Sequence, residues 1–256
     1  MLRLALLFLV CFLCSKAHAF VLLSGPAEAT LPATETSPTI TFQWDGNVPS
    51  LKDIDEVLDG RWKNLSDNDV MEQALLFALN VWSEVPGSFL KLSLQTSPGA
   101  EISDQDHIYS IVVKQDKNLT TSAFAVPRVE GEMIVDCDIS ISDKTHSLNS
   151  LVYTLIHELG HCIGLGHNHT NYGALMGYSR YTRSLRLGAD DMAGLIYLYP
   201  DSTYDGEVND LYGCGRAGNV AKASPVSRFF IYLALFFPLA VPTWKPRRSR
   251  KRPLRK

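Results

Sequence analysis

The segment His157-Glu158-Leu159-Gly160-His161-Cys162-Ile163-Gly164-Leu165-Gly166-His167 places three histidines and a carboxylate within eleven residues. Histidines four apart stack on one face of a helix, so both imidazoles reach the same ion. Glu158 follows the first of them and points at the same site without needing to bind metal. Gly164 can take the left-handed conformation that ends a helix and turns the chain back, bringing His167 in as a third ligand. Three protein ligands leave a position for water, the arrangement of catalytic zinc. A structural zinc site would favour four closed ligands, usually with thiolate, and would not need Glu158. The nearby thiol, Cys162, falls on the opposite face of the helix. A bare HExxH recurs by chance, but the extended form with Gly164 and His167 is far more specific. The expectation is one catalytic Zn2+ on His157, His161 and His167, with Glu158 as general base in peptide hydrolysis.

These residues need a scaffold, and the periodicities outline one. From about Ser147 the residues Leu148, Leu151, Val152, Leu155, Leu159 and Cys162 form an apolar stripe, opposite the polar stripe of Thr154, His157, Glu158 and His161. Ser66-Asp67-Asn68-Asp69 offers caps for an earlier helix, whose apolar face is Met71, Leu75, Ala78, Leu79 and Trp82. A last helix runs from about Ala189 to Tyr199, with Asp190 and Asp191 in its first turn. Ile40 to Trp44, Phe89 to Leu94, Ile108 to Val113 and Met133 to Ile141 read as strands, with a weaker one from Ser122 to Val126.

The chain has 256 residues, 46% hydrophobic and 20% charged, which suits a folded globular protein of one ordinary domain with appendages. Residues 1–19 read as a secretory signal peptide: Arg3, an apolar run from Leu4 to Leu13, and a small-x-small site at Ala17-His18-Ala19. Residues 20–37 are Ala, Thr, Ser and Pro rich and read as a flexible leader. The catalytic domain is expected over 38–200, a linker over 201–227, an apolar segment over 228–244 and a basic tail over 245–256. The tail carries +8 and everything before it −11. Such density can mark nucleic-acid binding. After an apolar stretch on an exported chain it reads instead as a membrane-flanking cluster, and the acidic remainder carries no nucleic-acid footprint.

The segment from Arg228 to Trp244 holds Pro238 and Pro242 and is short for a span. Cys214-Gly215, the apolar run and the arginine-rich end are similar to bacterial tripartite sorting signals. Surface display or processed release is therefore expected, with a single-pass anchor and cytoplasmic tail as the alternative. Cys137, Cys162 and Cys214 remain after the signal. A Cys137–Cys162 bridge and two buried free thiols both stay open. Asn64-Leu65-Ser66, Asn118-Leu119-Thr120 and Asn168-His169-Thr170 match the glycan acceptor pattern.

The zinc segment resembles that of the metzincin metallopeptidases, and Ala174-Leu175-Met176-Gly177-Tyr178 resembles their Met-turn. Ser122-Ala123-Phe124-Ala125-Val126-Pro127, Gly131 to Asp136, and Leu187 to Tyr199 resemble the matrixin branch. The resemblance covers roughly residues 38–200. It implies an α+β fold: a twisted, mostly parallel sheet with an antiparallel edge strand, the zinc helix, a second packed helix and a small C-terminal subdomain. It further implies that Met176 packs beneath the metal and that protein or peptide substrates lie along Ala123, Phe124 and Ala125. A specificity pocket would lie between the zinc helix and the loop from Gly177 to Arg186, with Arg180, Arg183 and Arg186 solvated.

The sequence also departs from the matrixin pattern. Ser122 and Ile134 replace histidines of a second zinc site, so no second zinc is expected; calcium at Asp136 and Asp138 stays open. No Pro-Arg-Cys-Gly latch is found, so activity without its removal is expected. Met176-Gly177-Tyr178 has the Met-x-Tyr spacing of astacins and serralysins. For Tyr178, both zinc contact and a place in the pocket wall stay open. A non-catalytic zinc module would tolerate loss of Glu158, and an anchored adhesion protein would not need the site.

Overall fold

A computed structural model describes residues 20–23, 28–103, 106–115, 121–169, 171–177 and 184–204. The expectations placed on the signal peptide, on the chain beyond Tyr204, and on Tyr178, Arg180, Arg183 and Asn118 lie outside them. In chain order the elements are β1 (Thr39–Trp44), β2 (Leu51–Lys52), α1 (Asp67–Ser83), β3 (Lys91–Thr96) and β4 (Tyr109–Lys114). They continue with β5 (Ala123–Glu130), β6 (Met133–Ser142), β7 (His146–Ser147), α2 (Leu148–Cys162) and α3 (Ala189–Leu198).

Five strands form one sheet in the order β3-β1-β4-β6-β5, and β2 pairs with β7 apart from it. Within the sheet β3, β1, β4 and β6 run parallel, while β5 pairs antiparallel to β6. A parallel neighbour demands a long crossover, and α1 lies within the one from β1 to β3. The inner strand β6 is buried along nearly its whole length, whereas β5 is mostly half-exposed. That contrast is expected of a covered strand and an edge strand. β5 runs past the expected end at Val126 because Pro127 does not stop it. Proline is tolerated on an edge strand where its missing N–H would face outward.

Helix α1 starts at Ser66, whose Oγ accepts the Asp69 amide at 3.2 Å. Its apolar residues Val70, Met71, Ala74, Leu75, Ala78, Leu79 and Trp82 are all buried. Trp82 donates through Nε1 to the carbonyl of Ile156 at 2.8 Å, tying α1 to α2. Helix α2 ends in a Schellman motif: the Leu165 amide donates to Gly160 O at 2.9 Å and the Gly164 amide to His161 O at 3.0 Å. Gly164 sits at φ +102°, where a Cβ would lie 2.3 Å from Ala29 O, so both backbone conformation and space require glycine. A disulfide joins Cys137 of β6 to Cys162 of α2, with Cα atoms 5.5 Å apart and both residues fully buried.

The stretch expected to be a flexible leader is instead held by pairing at residues 22–23 and 29–31, while residues 34–37 are exposed. Thr30 bridges to Met133, with Thr30 N donating to Glu132 O and Ile134 N donating to Thr30 O. Leu31 N donates to the Tyr199 hydroxyl at 2.9 Å, and Leu22 bridges to Leu165. Ala29 and Leu31 are buried. Backbone hydrogen bonding holds this segment in place, and composition and periodicity carry no trace of that. Among the described residues no helix is long and apolar enough to cross a membrane. The segment 228–244, on which the expected membrane contact rested, lies outside them.

Candidate active site

Helix α2 delivers His157 and His161 from successive turns, and the turn at Gly164 delivers His167. The three Nε2 atoms converge: that of His167 lies 3.0 Å from His157 Nε2 and 3.1 Å from His161 Nε2. Two imidazole nitrogens on a tetrahedral zinc, each at 2.0–2.1 Å, would be roughly 3.3 Å apart. The cluster therefore fits that ion with little adjustment, and it is a three-ligand group among the described residues.

The other ring nitrogens are held by backbone. His157 Nδ1 donates to Leu175 O at 3.0 Å and His161 Nδ1 to Leu165 O at 2.8 Å. A carbonyl can only accept, so the proton sits on Nδ1 and the Nε2 lone pair faces the site. Burial holds His157 and His167 below the usual histidine range. His161 is pushed down to about 4, first by burial and then by the neighbouring His157. All three are thus kept neutral near pH 7, the form that binds metal.

Met176 lies against α2. A Cβ at Gly160 would be 2.2 Å from Met176 Sδ, so the glycine inside the motif makes room for that sulfur. Asp191 holds the turn in place. Although 2% exposed, its carboxylate accepts the amides of Leu175 (2.5 Å), Met176 (3.0 Å) and Gly188 (2.6 Å). Asn168, just after the third ligand, donates its amide to Met176 O at 2.8 Å and its side chain to Asp190. The Asn168 side chain is accordingly buried, whereas Asn64 is exposed.

Two residues of this arrangement escape the sequence reading. Asp191 looks like helix-dipole complement, but it reaches back to the Met-turn. Tyr153 stacks on His157 at 6.5 Å and its hydroxyl donates to Leu175 O at 3.4 Å, the carbonyl that also holds His157. Its spacing four residues before His157 is a signal that could have found it.

Glu158 stands on α2 beside His157, and its Oε2 accepts the Ala125 amide of β5 at 2.8 Å. Burial pushes its carboxyl up to about 7 against the opposing pull of that amide. Ala123 is buried and Phe124 and Ala125 are half-buried on the same edge strand. Asp136 and Asp138 lie elsewhere, on β6, 1% and 3% exposed. The structure therefore brings His157, Glu158, His161, His167 and Met176 together with Ala125, and leaves the aspartates apart.

Residues 57–200 match the family model described as matrixin. A hatching enzyme from Paracentrotus lividus is 30% identical over 190 residues, covering 72% of this chain. The chain spans 31% of that enzyme's length. Among solved structures, the GM1-bound form of the ECX AB5 holotoxin overlaps 72% of this chain and 89% of its own. Its TM-score is 0.46 and its identity 14%.

Proposed function

The chain belongs to the matrixin family, and from that premise we propose that it is a zinc metalloendopeptidase, that Glu158 is its general base and that extracellular proteins are its substrates. The observation that carries the reading is the convergence of three neutral Nε2 atoms beside a carboxylate that burial holds near neutrality. His157, His161 and His167 would hold zinc, which would supply Lewis acidity toward a scissile carbonyl and toward water. Glu158 takes a proton from the attacking water and delivers it to the leaving amine. A carboxyl poised near pH 7 suits both halves of that task, since it must accept and then release one proton. Met176 and Gly160 fix the floor of the site. Asp191 and the Leu175 carbonyl fix the turn on which the His157 ring depends.

The cleft-facing edge of β5 is offered to an extended peptide, which would add as a strand through backbone hydrogen bonds. Export follows from the expected signal peptide, and a core disulfide suits an oxidising compartment. The test is Glu158→Gln. It should retain one zinc per chain while peptide hydrolysis falls by about 10²–10⁴-fold, because the ligands stay and the base goes. Undiminished cleavage by that variant would sink the assignment.

A further inference from the structure

In an antiparallel pair alternate residues turn their N–H and C=O toward the partner strand, and the residues between turn them away. Just before β5 the Ser122 carbonyl accepts the Ser142 amide at 3.0 Å, so as far as the register shift after Arg128 the even-numbered residues of β5 face β6 and the odd-numbered ones face outward. Pro127 fits that parity, since its ring occupies an outward position that needs no donor. Ala125 shares it, and its outward amide does not end in solvent. It reaches across to α2 and donates to Glu158 Oε2 at 2.8 Å.

We propose that the backbone amide of Ala125 is a positioning donor for Glu158, so that one edge strand both orients the base and receives the substrate. The inference rests on the reading of Glu158 as base. A carboxylate withdrawn from water is fixed in orientation by the donors that replace its hydration, and hydrogen bonds to a charged acceptor are the stronger kind. The arrangement also bears on recognition. Of the outward positions Ala123, Ala125 and Pro127, only Ala123 has an amide neither committed to Glu158 nor lost to a proline ring. A bound peptide is therefore met along the later half of the edge by carbonyl acceptors.

The test replaces the Ala125 amide by an ester, installing L-lactic acid at that position in the full-length zinc-loaded protein. The same exchange at Ala123 is the control. The ester at Ala125 should lower kcat about tenfold or more, with KM within twofold and zinc still at one per chain. The ester at Ala123 should raise KM and leave kcat unchanged. Should the first ester protein not accumulate, Ala125→Pro removes the same donor in the manner that Pro127 already shows to be tolerated. An unchanged kcat in either Ala125 variant, or an equal fall in kcat at Ala123, overturns the positioning role. Full activity in Glu158→Gln overturns instead the assignment beneath it, whatever the esters do.

Discussion

The histidine cleft and the aspartate pair on β6 both withdraw ionisable side chains from water, and burial acts on them in opposite senses. In the cleft it favours the neutral imidazole, which is the metal-binding form, and each helix-borne ring has its remaining nitrogen satisfied by a carbonyl. On β6 it opposes the charged form. Asp136 accepts the His107 amide and Asp138 the Ser103 amide, each through Oδ2, while each Oδ1 is left with no partner. Burial pushes both carboxyls up, Asp138 to about 6, and the nearness of Asp106 and of the pair to each other adds to it. Tyr109 beside them is pushed up to about 12 by burial and by Asp136. One region is arranged so that its ground state already suits its cation. The other holds charge at neutral pH at the expense of stability.

The largest break in this comparison comes from His161→Ala. It should abolish zinc binding at stoichiometric metal and with it all measurable hydrolysis, as read by metal analysis and a peptide assay. The melting temperature of the metal-free protein should barely change, because that ring is not part of the core; a large fall would show that the cleft carries stability as well. Second, Asp191→Ala leaves the amides of Leu175, Met176 and Gly188 without their buried acceptor. It should cost roughly 3 kcal/mol in denaturant unfolding and weaken zinc retention. If stability drops while zinc affinity is untouched, the Met-turn is not what orients His157.

The smallest effect belongs to the aspartates. The folded Asp138 carboxyl keeps its proton up to about pH 6, whereas the usual value is 3.8. The native state thus binds more protons than the unfolded state between those values, and stability falls as pH rises through that window. Beyond it the loss is complete. Asp138→Asn should flatten the slope and raise stability at pH 7 by about 1–3 kcal/mol, seen by thermal melts across pH. A variant that still shows the slope would assign it elsewhere. Calcium added to wild type at pH 7 should raise the melting temperature if the pair holds a hard cation, and the Asp138→Asn variant should not respond.

The zinc site was largely legible because its information is local: histidines one turn apart, a glycine to turn the chain and a histidine beyond it. The helical stripes of α1 and α2 were legible for the same reason. The misread parts depend on contacts that leave no pattern in sequence. Thr30 and Leu22 are held by backbone pairing with Met133 and Leu165, so their segment looked like a loose leader. The strand was read only as far as Val126, because the tolerance of Pro127 within β5 depends on which side of the strand it faces. Asp191 and Tyr153 bind backbone groups of the Met-turn, and neither partner has a side-chain signature. For Cys137 and Cys162 the sequence left a bridge and free thiols equally open; only the spatial placement of β6 against α2 joins them.

That disulfide closes a covalent ring with a sequence separation of 25 residues, and His157, Glu158 and His161 all lie within it. In the chain-entropy picture a ring of this size disfavours the unfolded state by roughly 3 kcal/mol. A peptidase also lives among its own copies, and any exposed turn is a potential cut. A nick in the turn around Asp143–Thr145 would linearise the ring without releasing either half, so the helix bearing the two histidines would stay fastened to the sheet. Self-digestion there would pass unseen on a non-reducing gel and appear as two fragments only once the bridge is reduced.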